Sequence, residues 1–192
     1  MAPFPNSMKI GIVGHRYIQS PEVEAFIYGS CQRILLELRC RYGTLTALSA
    51  IAQGADSIFA QTALALAIPL EIVCPFERYP EDFASPEASR IYTTLRAAAF
   101  REEPLAFVHR SEDAYYAAMQ WVVERSDLLI AAWDGKEGNG RGGTADAVNR
   151  AKGMGLDWVH LDVVNLSGNY HCAGYPYLSN ATIGYGSVVQ TL

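Results

Sequence analysis

Residues 8–16, Met-Lys-Ile-Gly-Ile-Val-Gly-His-Arg, decide the fold. The apolar run ends at a glycine followed by two polar residues, which is typical of a strand buried on both faces of a sheet. Ser20-Pro21-Glu22 comes next and has the composition of a helix start, because serine caps a helix and proline suits its first position. We therefore predict a first strand over residues 8–13 and a helix over residues 21–42.

The alternation of strand and helix continues along the chain. Parallel neighbouring strands need long crossovers, and the intervening helices can provide them. The predicted fold class is therefore α/β, a Rossmann-like three-layer sandwich with a mainly parallel sheet of about six strands. The further strands are predicted over residues 44–50, 69–73, 105–109, 127–133 and 156–161, and the further helices over 55–67 and 86–100, after Ser111, and over 144–152.

The length of the chain bounds its domain organisation. With 192 residues it can form one substantial core but is short for two domains. We predict a Rossmann-like unit over residues 1–162. Residues 163–192 are predicted to form a C-terminal tail of the same domain, irregular or with short strands, because glycine and proline interrupt its aromatic and β-branched stretches.

Charge and composition exclude several classes of partner. The net charge is -5 at pH 7, and lysine and arginine are not clustered. Because nucleic-acid binding relies on a basic surface, we predict no nucleic-acid partner. No apolar run is long enough to span a membrane, and the N-terminal residues do not resemble a signal peptide.

Cysteine and histidine spacing predicts neither metal nor cofactor. No C-x-x-C, H-E-x-x-H or Cys/His quartet is present. We interpret the cysteines as reduced core residues of a cytoplasmic protein. They are Cys31, Cys40, Cys74 and Cys172.

The glycine-rich segment after the fifth strand is the strongest candidate site. Asp134 and Gly135 end that strand, and Gly142, Gly143 and Thr144 lead into a helix. Glycines let the backbone approach a ligand, and the positive end of a helix favours phosphate. Asp134 is the acid best placed to enter a cleft at the strand ends, where we expect it at ribose hydroxyls. A flexible loop with an ordinary helix cap also fits this segment, and the sequence leaves both interpretations open.

Two other strand ends carry candidate ligand contacts. Gly14, His15 and Arg16 end the first strand, where the arginine fork suits phosphate oxygens and the histidine suits a ribose or base. Gly54 and Asp56 open the second helix and offer another helix N-terminus. A surface turn and an ordinary first-turn acid are the alternatives for these two segments.

Residues 75–83, Pro-Phe-Glu-Arg-Tyr-Pro-Glu-Asp-Phe, interleave aromatic and charged side chains. Such a loop suits a cover that stacks on a bound base, and its acids Glu77 and Asp82 then lie near the ligand. It equally suits a long loop whose aromatic side chains attach it to the core. The sequence does not choose between the two.

Taken together, these motifs resemble the SLOG superfamily. This Rossmann-like group includes the "lonely guy" phosphoribohydrolases, the DNA-processing Smf proteins and the nucleotide-sensing domains of some channels and defence systems. The motifs occur in family order between residues 8 and 162, in the segments 10–16, 48–56, 75–83, 126–135 and 142–144.

The resemblance implies that a nucleotide or nucleotide-derived signal binds across the strand ends, with Gly142, Gly143 and Thr144 at the phosphate. Because related proteins form dimers, it also implies a homo-oligomer.

Three functional hypotheses follow. The first is a binding or sensing domain for a nucleotide or nucleotide-derived small molecule. The alternative is a nucleotide N-glycosidase that releases a free base, with Glu77, Asp82 or Asp134 stabilising the oxocarbenium charge. Where the phosphoribohydrolases have a catalytic glutamate, this chain has Ala147. A third hypothesis is a subunit of a larger assembly, with residues 163–192 as the contact.

Overall fold

The computed structural model describes residues 7–137, 141–171 and 183–184. Strands and helices alternate along the described chain, and a short 3₁₀-helix over Tyr79–Asp82 lies between β3 and α3. The elements are β1 (Ser7–Gly14), α1 (Pro21–Tyr42), β2 (Thr44–Ser49), α2 (Ala55–Ala65), β3 (Leu70–Cys74), α3 (Pro86–Ala98), β4 (Arg101–Pro104), α4 (Glu112–Arg125), β5 (Leu128–Trp133), α5 (Thr144–Met154), β6 (Trp158–Asp162), β7 (Ser167–His171) and β8 (Ile183–Gly184).

The described strands form one sheet in the order β4-β3-β2-β1-β5-β6-β7-β8. The six strands β1 to β6 pair in parallel, and β7 and β8 add an antiparallel edge. The predicted Rossmann-like α/β fold with about six mainly parallel strands is thus confirmed. The chain winds outward from β1 to β4 and then returns to pair β5 with β1. The switch in winding direction between β1 and β5 opens a crevice at the carboxyl ends of these strands.

Alternate residues of β1 serve two separate cores. Ile10 and Ile12 pack with α1 and α2, whereas Val13 packs with α4 and α5. Successive side chains of a strand point to opposite faces, so helices cover both faces of the sheet. Gly11 lies directly under α4, since a Cβ there would come 2.1 Å from Ser126 Oγ.

Three helices begin at capping serines, two of which, Ser20 and Ser111, mark helix starts in the sequence analysis. The hydroxyl oxygens of Ser20, Ser85 and Ser111 accept hydrogen bonds from the amide three residues further on, at 3.4, 3.1 and 3.1 Å. Each bond satisfies one of the free N–H groups of a helix start.

The predicted strand over residues 105–109 is wrong. The fourth strand is Arg101–Pro104, which pairs with β3 through its backbone at the edge of the parallel part of the sheet. The apolar residues that follow belong to a loop: the Leu105 amide donates to Cys74 O at 3.1 Å, and Phe107 O accepts from the Glu77 amide at 2.8 Å. Hydrophobicity at this edge therefore marks loop packing and not the strand.

Past residue 162 the described part of the chain extends the sheet. β7 pairs antiparallel with β6, and β8 pairs antiparallel with β7. These two strands fall in the stretch predicted to be an irregular or short-stranded tail.

The cysteines differ in their exposure. Cys31 and Cys74 are buried, as expected, but Cys40 is exposed on α1, so its interpretation as a core residue is wrong. Cys172 lies outside the described residues. Among the helices of the described chain, none has the length and apolar character needed to cross a bilayer.

Candidate functional site

A cleft of about 430 Å³ lies at the carboxyl ends of β1, β2 and β3, between the starts of α2, α4 and α5. This is the edge of the sheet where the order of the strands predicts a ligand crevice. Six residues proposed from sequence line the cleft, although they are distributed over 130 positions of the chain. They are Gly14, Arg16, Asp56, Gly142, Gly143 and Thr144.

Arg16 is held in the cleft by a buried carboxylate. Its Nη1 lies 3.0 Å from Asp82 Oδ2, and its guanidinium carbon lies 4.7 Å from the centre of the Tyr115 ring. Arg110 approaches the other oxygen of Asp82 at 3.6 Å, and the Tyr115 hydroxyl donates to the same carboxylate. The side chain of Asp82 is 6% exposed, so it acts as the counter-ion of the cleft arginines and presents no open carboxylate to a ligand.

Arg110 and Tyr115 were not identified from the sequence. Both lie at the start of α4, where Arg110 directly precedes the capping serine. Because α4 follows a parallel strand, its N-terminal end lies at the same edge of the sheet as the strand ends, and that placement was the available signal.

The turn before α5 packs closely on α4. Gly142 has a φ of +88°, and a Cβ there would come 2.8 Å from the Tyr116 backbone nitrogen. The Gly142 amide donates to the Asp146 carboxylate at 2.7 Å, which fixes the turn from within α5. Arg141 stacks over the Tyr116 ring at 4.1 Å.

The start of α5 forms a wall of the cleft. Its N-cap residue is Gly143, and no side chain caps the helix there. The first amides of a helix have no acceptor within the helix, so the Thr144 end of α5 offers free donors beside the cleft.

The start of α2 is closed by the protein's own backbone. Gly54 has a φ of +91°, and a Cβ on it would come 2.3 Å from the carbonyl oxygen of His15. That carbonyl accepts the Ala55 amide at 3.0 Å. Gly54 thus lets the β1 loop and α2 touch, and the Ala55 amide is engaged by the His15 carbonyl.

Asp56 lies in the first turn of α2 and lines the cleft, yet it is only 8% exposed. Burial raises the pKa of its carboxyl from 3.8 to about 7, against the opposing effects of Arg16 and of hydrogen bonds from the backbone of Ala52 and Ala50 and from Ser49. Near neutral pH the carboxyl is therefore about half ionised.

His15 and Asp134 join the ends of β1 and β5 beside the cleft without lining it. The Asp134 amide donates to His15 Nε2 at 3.2 Å, and its carboxylate lies 3.4 Å from the same nitrogen. Burial acts to raise the pKa of Asp134, but the Lys136 backbone and the charges of His15 and Lys136 bring the pKa below its ordinary value. Gly135 follows at a φ of +79° and turns the chain away.

The loop over residues 75–83 is attached to the core by its aromatic side chains. The rings of Phe76 and Phe83 each lie 5.3 Å from that of Tyr79, and Phe83 stacks on Tyr92 at 4.5 Å. These contacts favour the packing interpretation over a cover that closes on a base. Glu77 is exposed on the far side of this loop and does not line the cleft.

No family model matches the sequence. No curated protein matches it either.

Solved structures do share its fold. DNA processing protein A from Helicobacter pylori, described for its single-stranded DNA binding mode, is 19% identical with a TM-score of 0.55 over 80% of this chain and 64% of that one. DNA processing protein A from Streptococcus pneumoniae is 18% identical with a TM-score of 0.57 over 91% of this chain and 56% of that one. The protein TM1055 is 14% identical with a TM-score of 0.50 over 79% and 72%.

These comparisons define the class of fold. The chain is a Rossmann-like α/β protein with the fold of DNA processing protein A, and the matches span 64% and 56% of the two DNA processing proteins.

The comparisons also contradict the prediction of no nucleic-acid partner. A protein with this fold binds single-stranded DNA. The prediction relied on net charge, which sums the whole surface, whereas binding depends on local charge. Here Arg16, Arg110 and Arg141 line one cleft of an acidic chain.

Proposed function

We propose that the cleft binds a nucleotide or nucleotide-derived small molecule through its phosphate, as a binding or sensing domain of SLOG type. The observation that carries the proposal is the uncapped start of α5 beside three arginines of the same cleft. Free amides at a helix start and guanidinium groups are the usual protein ligands of phosphate.

The interior of the cleft suits the rest of such a ligand. Ile12 and Val13 from β1 and Met119 and Val122 from α4 line it with apolar atoms. An apolar wall next to a cationic one matches a molecule with a flat ring at one end and a phosphate at the other.

Binding without glycosidic cleavage is the better supported form of the proposal. The three acids suggested for catalysis do not converge on the cleft: Glu77 lies outside it, Asp82 is engaged by two arginines, and Asp134 lies beside it with His15. A glycosidase needs an acid at the bond that breaks, and none of these three acids lines the cleft.

The test is thermal unfolding with AMP, ADP-ribose, cyclic ADP-ribose, NAD and a short single-stranded DNA, followed by chromatography for released base. A ligand at a hundred times its Kd adds about 2.7 kcal/mol, or roughly 5 to 10 °C in Tm. Arg16→Ala should abolish the shift, whereas Arg101→Ala, a matched change on the exposed edge strand, should keep it.

Each outcome is decisive for the proposal. A shift with intact nucleotide that Arg16→Ala removes supports it. A Tm shift with single-stranded DNA alone would mean that the ligand is a nucleic acid and not a nucleotide. Released base would make the protein an N-glycosidase. An equal shift in Arg16→Ala would remove Arg16 from the phosphate site.

The cytoplasmic location, the homo-oligomer and the assignment of residues 163–192 to the same domain stay predictions. Light scattering on the full chain and on a chain ending at residue 162 tests the homo-oligomer, and urea unfolding of the two chains tests the domain assignment, because the shorter chain lacks β7, which pairs with β6. An unchanged state of association would remove the tail from any subunit contact.

A further inference from the structure

We infer that Asp56 binds a sugar hydroxyl of the ligand, so that the cleft distinguishes nucleotides by their ribose hydroxyls. The inference rests on the proposed function and deepens it. It starts from a carboxyl that is nine-tenths buried and yet forms part of the cleft wall.

Asp56 is not neutralised by a close ion pair. No cation of the described residues lies within ion-pairing distance of it, because the nearby Arg16 is engaged by Asp82. A carboxylate offers about four acceptor positions. The backbone of Ala52 and Ala50 donates to this carboxyl, which leaves capacity for a further donor from the cleft. The Ser49 hydroxyl donates to the backbone carbonyl of Asp56 at 3.5 Å.

The position of Asp56 selects which part of a nucleotide it meets. It comes from α2, whereas the phosphate wall comes from α5 on the other face of the sheet. A carboxylate repels phosphate, so the phosphate belongs at Thr144, and the apolar atoms of Met119 and Val122 receive the base. The sugar that joins base and phosphate is then the part left for Asp56.

The chemistry of the sugar fits the site. A hydroxyl is a neutral donor that a buried carboxyl can accept without a second buried charge. Losing a hydrogen bond to a charged group costs roughly ten- to hundredfold in affinity. The cleft should therefore bind AMP at least about tenfold more tightly than the deoxy form that lacks the contacted hydroxyl.

The experiment measures the affinities of AMP, 2′-deoxy-AMP, 3′-deoxy-AMP and IMP by calorimetry, with the wild type, Asp56→Ala and Asp56→Asn. One deoxy form should bind at least tenfold more weakly than AMP to the wild type, and Asp56→Ala should reduce that ratio to about one. Asp56→Asn keeps the shape and one acceptor, so it should give an intermediate ratio. It provides the measurement if the alanine variant does not fold. Glu22→Ala removes an exposed first-turn acid of α1 that does not line the cleft and should keep the ratio.

The outcomes separate this inference from the proposed function. Equal wild-type affinities for AMP and both deoxy forms would overturn the inference alone. A preference for AMP over IMP that disappears in Asp56→Ala would assign the carboxyl to the base amine and also overturn it. If the wild type binds none of the four nucleotides, the proposed function fails and the inference fails with it.

Discussion

Replacing Asp56 with asparagine is expected to remove a strong pH dependence of stability. The carboxyl ionises near pH 3.8 when unperturbed and near pH 7 in the folded protein, because it is buried. Between these values the folded protein keeps a proton that the unfolded chain has released. The free energy of unfolding contributed by this group therefore falls as pH rises from about 4 to about 7 and is constant above.

The size of the effect follows from the two pKa values. A shift from 3.8 to about 7 corresponds to roughly 4 kcal/mol in total. Over the interval from pH 5 to pH 8, about 2 to 3 kcal/mol of this is lost. Asp56 is only 8% exposed, so screening by solvent removes little of that value.

Urea unfolding of the wild type and of Asp56→Asn at pH 5, 6, 7 and 8 measures this pH dependence of the free energy of unfolding. The free energy of unfolding of the variant, relative to that of the wild type, should rise by about 2 to 3 kcal/mol from pH 5 to pH 8, because asparagine carries no titrating proton. Glu102→Gln is the matched control: its carboxyl has a lowered pKa and is ionised in both states over this interval, and its partner Arg96 keeps its charge. The difference in stability between this variant and the wild type should therefore not change with pH. A flat difference for Asp56→Asn would refute the reasoning, since the carboxyl would then be solvated.

Three further substitutions test the packing around the cleft. Gly142→Ala should cost about 2 kcal/mol and weaken nucleotide binding, because its φ is +88° and its Cβ would meet the backbone of Tyr116. Gly11→Ala should cost about 1 to 3 kcal/mol by pressing on Ser126 under α4. Ser111→Ala should cost about 1 kcal/mol by removing the cap of α4. Urea unfolding measures all three, and calorimetry with AMP adds the binding term for the first.

The chain supplies its own controls for these changes. Gly143→Ala should be tolerated, because its φ is -80° and a Cβ there meets nothing within 4 Å. Combining Gly11→Ala with Ser126→Ala should recover part of the loss. Equal costs at positions 142 and 143, or no recovery in the double variant, would contradict the packing described here.

Local composition was enough to predict most of the fold. The strand over residues 8–13 is apolar because it is buried on both faces, and the helices start at serine and proline because these residues cap a helix. Both signals lie within a few residues of the element that they predict. β4 was misplaced because an edge strand such as Arg101–Pro104 is stabilised by backbone pairing with β3 and has no hydrophobic pattern of its own.

The candidate site was predictable only in part. Glycines and an arginine at strand ends could be found because the parallel sheet brings those ends together. The pairing of Arg16 with Asp82, 66 positions along the chain, depends on how the loop after β3 folds. The burial of Asp56 likewise depends on the close approach of α2 to the β1 loop. The sequence around Asp56 does not predict that contact.

The division of β1 between two cores bears on how this protein can change over evolutionary time. Inserting or deleting a single residue within residues 8–13 would send every later side chain of the strand to the opposite layer, exchanging the partners of Ile12 and Val13. Insertions and deletions should therefore accumulate in the connecting loops. Homologous chains should align with β1 without gaps even where their overall identity has fallen too low for the rest to be matched.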